Sequence, residues 1–121
     1  MAKRILIVDD DEMVLMAVNE LLCQEGYEVH AVSGGKEALD KLDQDGYDLL
    51  MLDIIMPEMD GFELCRQIRN RENYKETPIV FLTAKSRDED RSQGQEAGAN
   101  LFLTKPISPD KLLKIITDTM G

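Results

Sequence analysis

Four short apolar runs recur along the chain without a polar interruption: Ile5-Leu6-Ile7-Val8, Leu49-Leu50-Met51-Leu52, Ile79-Val80-Phe81-Leu82 and Leu101-Phe102-Leu103. Unbroken rather than alternating hydrophobicity marks strands covered on both faces, as in a parallel sheet. A fifth segment, residues 27–32, alternates apolar with polar side chains and reads as an edge strand. On that reading His30 is an exposed side chain and not a ligand.

Amphipathic segments fill the intervals. Val14, Val18, Leu21 and Leu22 share one face at helical spacing, and Met13 and Met16 are expected to pack beside them. Ser86 precedes Glu89 by three residues and Asp60 precedes Glu63 likewise, both capping-box patterns. Ser108-Pro109 puts a cap residue before a proline at the first helical position. Gly26, Gly46 and Gly98 stand where helices should stop. The result is five βα units with no repeat, linker or low-complexity tract. Right-handed crossovers turn them into a single doubly wound α/β domain, a parallel five-stranded sheet with helices on both faces.

Charge and composition narrow the function classes. Fourteen basic against 24 acidic residues give a net charge of −10, and no basic stripe with interleaved aromatics appears, so direct nucleic-acid binding is not expected. No apolar run approaches the ~18 residues of a spanning helix. The basic start Met1-Ala2-Lys3-Arg4 leads into an apolar stretch that ends at Asp9, too short for a secretory segment, and the expected location is cytoplasmic. Cys23 and Cys65 lack metal-ligand spacing and are expected to be packed, reduced thiols.

In doubly wound sheets, ligands bind outside the carboxyl ends of the strands. There the first strand runs into Asp9-Asp10-Asp11-Glu12, the third into Asp53, the fourth into Thr83-Ala84 and the fifth into Thr104-Lys105-Pro106. Acids at residues 9–12 could simply favour the positive end of the first helix, worth roughly 0.3–1 kcal/mol per charge. Asp53 has no such capping reason. Two carboxylates ~4 Å apart repel by about 4 kcal/mol at an effective dielectric of 20, so gathering three requires a compensating cation. Oxygen-only ligands at a wet rim point to magnesium. A carboxylate beside that ion is a plausible nucleophile toward phosphorus, with Lys105 and the Thr83 hydroxyl to bind the remaining phosphoryl oxygens.

With these residues in place the chain resembles the response-regulator receiver family of two-component signalling (the CheY-like superfamily) across its full length, residues 1–121 forming one receiver domain. The matching landmarks are Ile7-Val8-Asp9-Asp10, Leu52-Asp53-Ile54-Ile55-Met56-Pro57, Met59-Asp60-Gly61, Leu82-Thr83-Ala84 and Thr104-Lys105-Pro106. All five in order make a specific pattern, although each alone is weak. The resemblance implies a flavodoxin-like fold with strand order 2-1-3-4-5, and Cys23 and Cys65 on opposite faces of the sheet. It also implies Asp53 as phosphoacceptor, Asp10 and Asp53 as direct Mg2+ ligands, Asp9 acting mostly through water, and the Ile55 backbone carbonyl as third protein ligand. Thr83 and Lys105 would hold the phosphoryl oxygens, Phe102 would be the switch aromatic moving with Thr83, and Lys105-Pro106 would be a cis peptide. Ile55 and Lys85 flank the pocket where the family tunes phosphate loss, and Ile55 has no polar group to align a water.

Several positions depart from common family patterns. Phe102 lacks the hydroxyl of the frequent tyrosine, so a switch must rest on ring burial. Ile107 replaces a common phenylalanine. Asn100-Leu101 stands where dimerising members carry acids, and Lys111 and Lys114 give the last helix a different charge pattern, so that dimer mode is not expected. The implied role is a signalling phosphoacceptor rather than a turnover enzyme. Its partners would be a histidine kinase or histidine phosphotransfer protein and a downstream effector read at the fourth helix, fifth strand and fifth helix. No membrane partner is implied, and a monomer is expected before phosphorylation. A haloacid-dehalogenase-type phosphatase would need a threonine after the first acids, where Asp9-Asp10-Asp11-Glu12-Met13 has none. A pseudo-receiver would lack an acid or the lysine. Nucleotide binding would need a glycine-rich loop after the first strand.

Overall fold

Each apolar run becomes a strand, and the computed structural model, which describes residues 2–120, places helices between them. Met1 and Gly121, the ends of the expected 1–121 domain, lie outside the described residues. In chain order the elements are β1 (Arg4–Val8), α1 (Glu12–Gln24), β2 (Glu28–Val32), α2 (Gly35–Gln44), β3 (Leu49–Leu52), α3 (Gly61–Arg69), β4 (Ile79–Thr83), α4 (Asp88–Ala97), β5 (Leu101–Thr104) and α5 (Pro109–Met120). A short 3-10 turn, Glu72–Tyr74, separates α3 from β4. All strand pairs are parallel, in the order β2-β1-β3-β4-β5.

Strand side chains alternate between the two faces, and that alternation divides the core in two. Leu6, Val8, Leu50, Leu52 and Phe81 pack with Ala38, Leu42, Phe62, Cys65 and Ile68 from α2 and α3. Ile5, Ile7, Leu49, Met51 and Val80 pack on the other face with Val18 and Leu22 of α1 and Leu112 and Ile116 of α5. Cys65 thus lies on one side of the sheet and α1, which carries Cys23, on the other, and both thiols are free.

The caps follow the sequence except at Ser86 and at Gly46, since α2 stops at Asp45 in extended backbone and Gly46 adopts no positive φ. Asp60 accepts the Glu63 N–H at 2.9 Å, and Ser108 Oγ accepts the Lys111 N–H at 3.2 Å ahead of Pro109. A cap of this kind is worth about 1 kcal/mol. Ser86 does not start α4. The Asp90 carboxylate takes the Arg87 N–H at 3.2 Å and lies 3.7 Å from Lys85, so the helix begins at Asp88 and Ser86 stays in the loop. Gly26 and Gly98 adopt the left-handed backbone expected of helix stops, with φ of 93° and 110°.

Four other side-chain expectations are corrected. Cys23 is exposed, its Sγ 3.0 Å from Asn19 Oδ1, because it falls beyond the apolar stripe of α1. Met13 and Met16 are 79% and 71% exposed for the same reason. His30 is half-buried, since Tyr47 closes over it with its hydroxyl 2.6 Å from Nδ1 while Glu28 meets Nε2 at 3.0 Å. The β5 run is half-buried throughout, because β5 ends the sheet and has a neighbouring strand on one side only.

Candidate active site

The rim is assembled by backbone hydrogen bonds just past the strand ends. The Asp53 N–H donates to Val8 O at 2.9 Å, the Asp9 N–H to Val32 O at 3.2 Å, and the Lys105 N–H to Thr83 O at 2.8 Å. Strand pairing therefore extends one residue beyond the apolar core and holds Asp9 beside Asp53, and Lys105 beside Thr83. The Lys105-Pro106 peptide is cis.

These four residues and Asp10 converge. One carboxylate oxygen from each of Asp9, Asp10 and Asp53 lies within 4.8 Å of the others. Asp9 and Asp53 are buried, at 2% and 7% exposure, while Asp10 faces solvent. Lys105 reaches across with its ammonium 2.7 Å from Asp9 Oδ2 and 3.2 Å from Asp53 Oδ2. The other oxygens of this pair are held by the backbone. Asp9 Oδ1 accepts the Asp11 N–H at 2.9 Å, and Asp53 Oδ1 accepts the Ile54 N–H at 2.7 Å. Burial raises the Asp9 carboxyl above its ordinary range against the opposing pull of Lys105 and the Asp11 N–H. For Lys105, burial works to lower the ammonium, but the two carboxylates outweigh it and hold it above the usual lysine value.

The donor set fits a hard divalent cation. Three carboxylates against one ammonium leave two uncompensated charges, the charge of one such ion. The Ile55 carbonyl accepts no backbone hydrogen bond among the described residues, so its oxygen is available as a ligand.

Thr83 is fully buried at the end of β4, and its Oγ1 accepts the Lys85 N–H at 3.3 Å. Phe102 lies on β5 directly beside Phe81, ring centroids 5.9 Å apart, and is half-buried. Ile55 is 54% exposed at the mouth of the site.

Two glycines shape the site without having been given a role of their own in the sequence, although Gly61 stands in one of the family landmarks. A methyl group on Gly61 would overlap the carbonyl oxygen of Asp53, so only glycine lets α3 begin this close to the acidic rim. A Cβ on Gly94 would stand 3.1 Å from the Phe102 ring, so this glycine opens the slot in which that ring lies. Arg69, at the amino ends of β4 and β5 and away from the acidic rim, has no carboxylate partner among the described residues. Its guanidinium instead donates to the carbonyls of Tyr74, Thr77 and Gly98 and to Asn100 Oδ1, at 2.6–2.9 Å, tying the end of α3 to the segment before β4 and to the loop before β5. Asn100 Oδ1 also accepts the Ile79 N–H at 2.8 Å.

Residues 5–117 match the family described as "Response regulator receiver domain". The chain belongs to the response regulator receiver family. The receiver domain is 41% identical over 109 residues to the alkaline phosphatase synthesis transcriptional regulatory protein PhoP of Bacillus subtilis, covering 90% of this chain and 45% of that protein. It is 41% identical over 110 residues to ResD of the same organism, covering 91% and 45%. It thus spans about half the length of these curated relatives. Among solved structures, the chemotaxis protein CheY4 of Vibrio cholerae superposes with a TM-score of 0.94 at 36% identity, covering 98% of each chain. The receiver domain of the sensor histidine kinase PA1611 from Pseudomonas aeruginosa, solved with a magnesium ion coordinated in its active-site cleft, gives 0.91 at 31% identity over 100% and 99%. The fold is that of a CheY-like receiver, and the protein is a receiver domain of two-component response regulators. No helix among the described residues is long and apolar enough to cross a membrane.

Proposed function

We propose that residues 1–121 act as one receiver unit that accepts a phosphoryl group on Asp53. The observation that carries this reading is the Lys105 ammonium bridging the two buried carboxylates Asp9 and Asp53. That arrangement has a nucleophile, a cation and an acidic pocket in one place, at the end of a strand whose backbone cannot shift without breaking the sheet.

Asp9, Asp10, Asp53 and the Ile55 carbonyl are the groups that would hold Mg2+, with Asp9 acting mostly through water. When bound, the ion supplies charge neutralisation at the phosphoryl oxygens. The magnesium in the related PA1611 receiver supports the same assignment here. The Asp53 carboxylate attacks phosphorus in line, forming an O–P bond as the bond to the donor breaks. With a phosphohistidine donor the leaving imidazole departs with the electron pair and takes up a proton from water. Asp53 Oδ1 stays anchored by the Ile54 N–H, which orients the carboxylate for attack through its other oxygen. Lys105 transfers its ammonium from the Asp53 carboxylate to a phosphoryl oxygen, and the Thr83 hydroxyl donates to another.

The phosphoryl group adds about −1.5 to −2 charges to this site. Drawing Thr83 toward that charge frees space behind β4, into which the Phe102 ring moves, and the α4–β5–α5 face changes shape. Output is this population shift, read by an effector protein. Its donor is a histidine kinase or a histidine phosphotransfer protein. The domain catalyses only its own phosphorylation and dephosphorylation, works in the cytoplasm and is a monomer before phosphorylation.

Intact mass after incubation with acetyl phosphate tests the reading. A gain of one phosphoryl group that requires magnesium and disappears in Asp53→Ala is expected. No gain in the native chain under any divalent-cation condition overturns it in favour of a partner-binding module that works without phosphorylation.

A further inference from the structure

The run Asp9-Asp10-Asp11-Glu12 carries β1 into α1, yet only its first two acids join Asp53 in the carboxylate cluster. Asp11 is exposed and turned toward the helix, where the phosphoryl and metal chemistry gives it no part.

Asp11 makes hydrogen bonds in two directions. Its Oδ1 accepts the Met13 N–H at 2.9 Å, which caps α1, and its carbonyl accepts the Leu15 N–H at 3.1 Å. Its own N–H donates back to Asp9 Oδ1 at 2.9 Å. A cap residue has extended backbone, here with φ of −89° and ψ of 107°, and that conformation lets one residue serve both the helix and the acid behind it.

Asp10 lies between these anchors. On one side the Asp9 N–H is tied to Val32 O at 3.2 Å, and on the other Asp11 is tied to both Asp9 and α1. The Asp10 side chain faces solvent, and no ion pair among the described residues orients it. Its direction is set by the backbone on either side.

We propose that Asp11 is a positioning residue of the metal site. By capping α1 it fixes the peptide that carries Asp10, so that a divalent cation meets the Asp10 carboxylate already ordered. This role rests on the magnesium reading of the Asp9, Asp10 and Asp53 cluster and adds how the cluster is held. Without the cap the first turn of α1 frays, and ordering residues 10 and 11 must then accompany metal binding and oppose it.

A cap and a charge make different demands on the side chain. Asparagine and serine lose the charge but keep an acceptor for the helix N–H, alanine loses both, and glutamine, one methylene longer, is not a cap residue.

The test is a magnesium chloride titration of the unphosphorylated chain, followed by the amide shifts of residues 9–12 and 53–55. It is run at about 0.3 M ionic strength, where the charge of an exposed carboxylate is largely screened. Asp11→Ala is expected to raise the Kd about fivefold, the worth of one cap expressed at the metal. Asp11→Asn and Asp11→Ser should stay within about twofold of the native chain. If Asp11→Ala does not fold, Asp11→Gln must show the same loss. Native affinity in the alanine variant overturns the proposal and leaves Asp11 a cap that serves helix stability alone. An equal loss in the alanine, asparagine and serine variants overturns it too, since charge rather than capping would then be the cause. Absence of any magnesium-induced shift in the native chain sinks the metal site and this role with it. Native binding that Asp11→Ala leaves unchanged sinks this role only.

Discussion

The Lys105 ammonium lies 2.7 Å from the Asp9 carboxylate, closing a contact between residues 96 apart in the chain. Asp9 is nearly inaccessible to solvent, and its second oxygen is already committed to the Asp11 N–H. Lys105 is therefore what makes a buried acid beside Asp53 tolerable. Replacing it leaves the charges unopposed.

Lys105→Met is expected to lower stability by about 2 kcal/mol at neutral pH, the scale of a lost hydrogen bond to a charged group. Added Mg2+ should recover more stability in this variant than in the native chain, since the ion takes over part of the compensation. Urea unfolding with and without magnesium checks both statements. Equal magnesium effects in the two proteins contradict the second.

Gly61→Ala is expected to cost on the order of 2 kcal/mol, because the added methyl collides with the Asp53 carbonyl where α3 approaches β3. The strand end must move, so the rate of phosphorylation by acetyl phosphate should fall as well. Gly46→Ala serves as the control, since nothing lies within 4 Å of its added Cβ. Comparable damage from both substitutions rules out the steric cause.

Ile55 stands exposed at the mouth of the site with no hydrogen-bonding side-chain atom. An attacking water has nothing there to align it, so the phosphorylated state should be long-lived and need a partner to clear it. Ile55→Asn is expected to shorten its lifetime severalfold, followed by the decay of the phosphorylated mass after the donor is removed. Rapid decay in the native chain, unchanged in the variant, contradicts this.

Burial pushes the Cys65 thiol up to about 11, and burial together with nearby Asp45 pushes the Tyr47 phenol up to about 12. In the unfolded chain these groups lose protons nearer 9 and 10. The folded state thus holds protons that the unfolded state releases, and stability falls as pH rises through this window. Each group contributes on the order of 2 kcal/mol, fully present below pH ~9. The urea midpoint should decline between about pH 9 and 11, and less steeply in Cys65→Ala. With a thiol reagent near neutral pH, Cys23 should react in the native chain and Cys65 only after unfolding, as their exposures dictate.

Local patterning carried much of the fold. Strand alternation and helical spacing are short-range properties, so Ile5-Leu6-Ile7-Val8 and the face of Val18 and Leu22 were readable as they stand. Ends of elements were less so. Ser86 and Asp90 compete for the start of α4, and Asp90 prevails because it is buried next to Lys85, a neighbourhood that spacing does not reveal. His30 was misread because its cover comes from Tyr47, which stands before β3, two strands away across the sheet.

By itself, the sequence determined which residues stand at the strand ends, since Asp9, Asp53 and Thr83 each follow or end a buried apolar run and Lys105 comes just after the half-buried run of β5. Only the tertiary structure decided how they meet: Lys105 between Asp9 and Asp53, Gly61 under the Asp53 carbonyl, Gly94 opening a slot for Phe102, and Arg69 binding carbonyls instead of acids. The physical reason is range. Burial periodicity repeats over a few residues and leaves its mark in the chain, whereas a contact across 96 residues depends on strand order and close approach, and no local pattern records it.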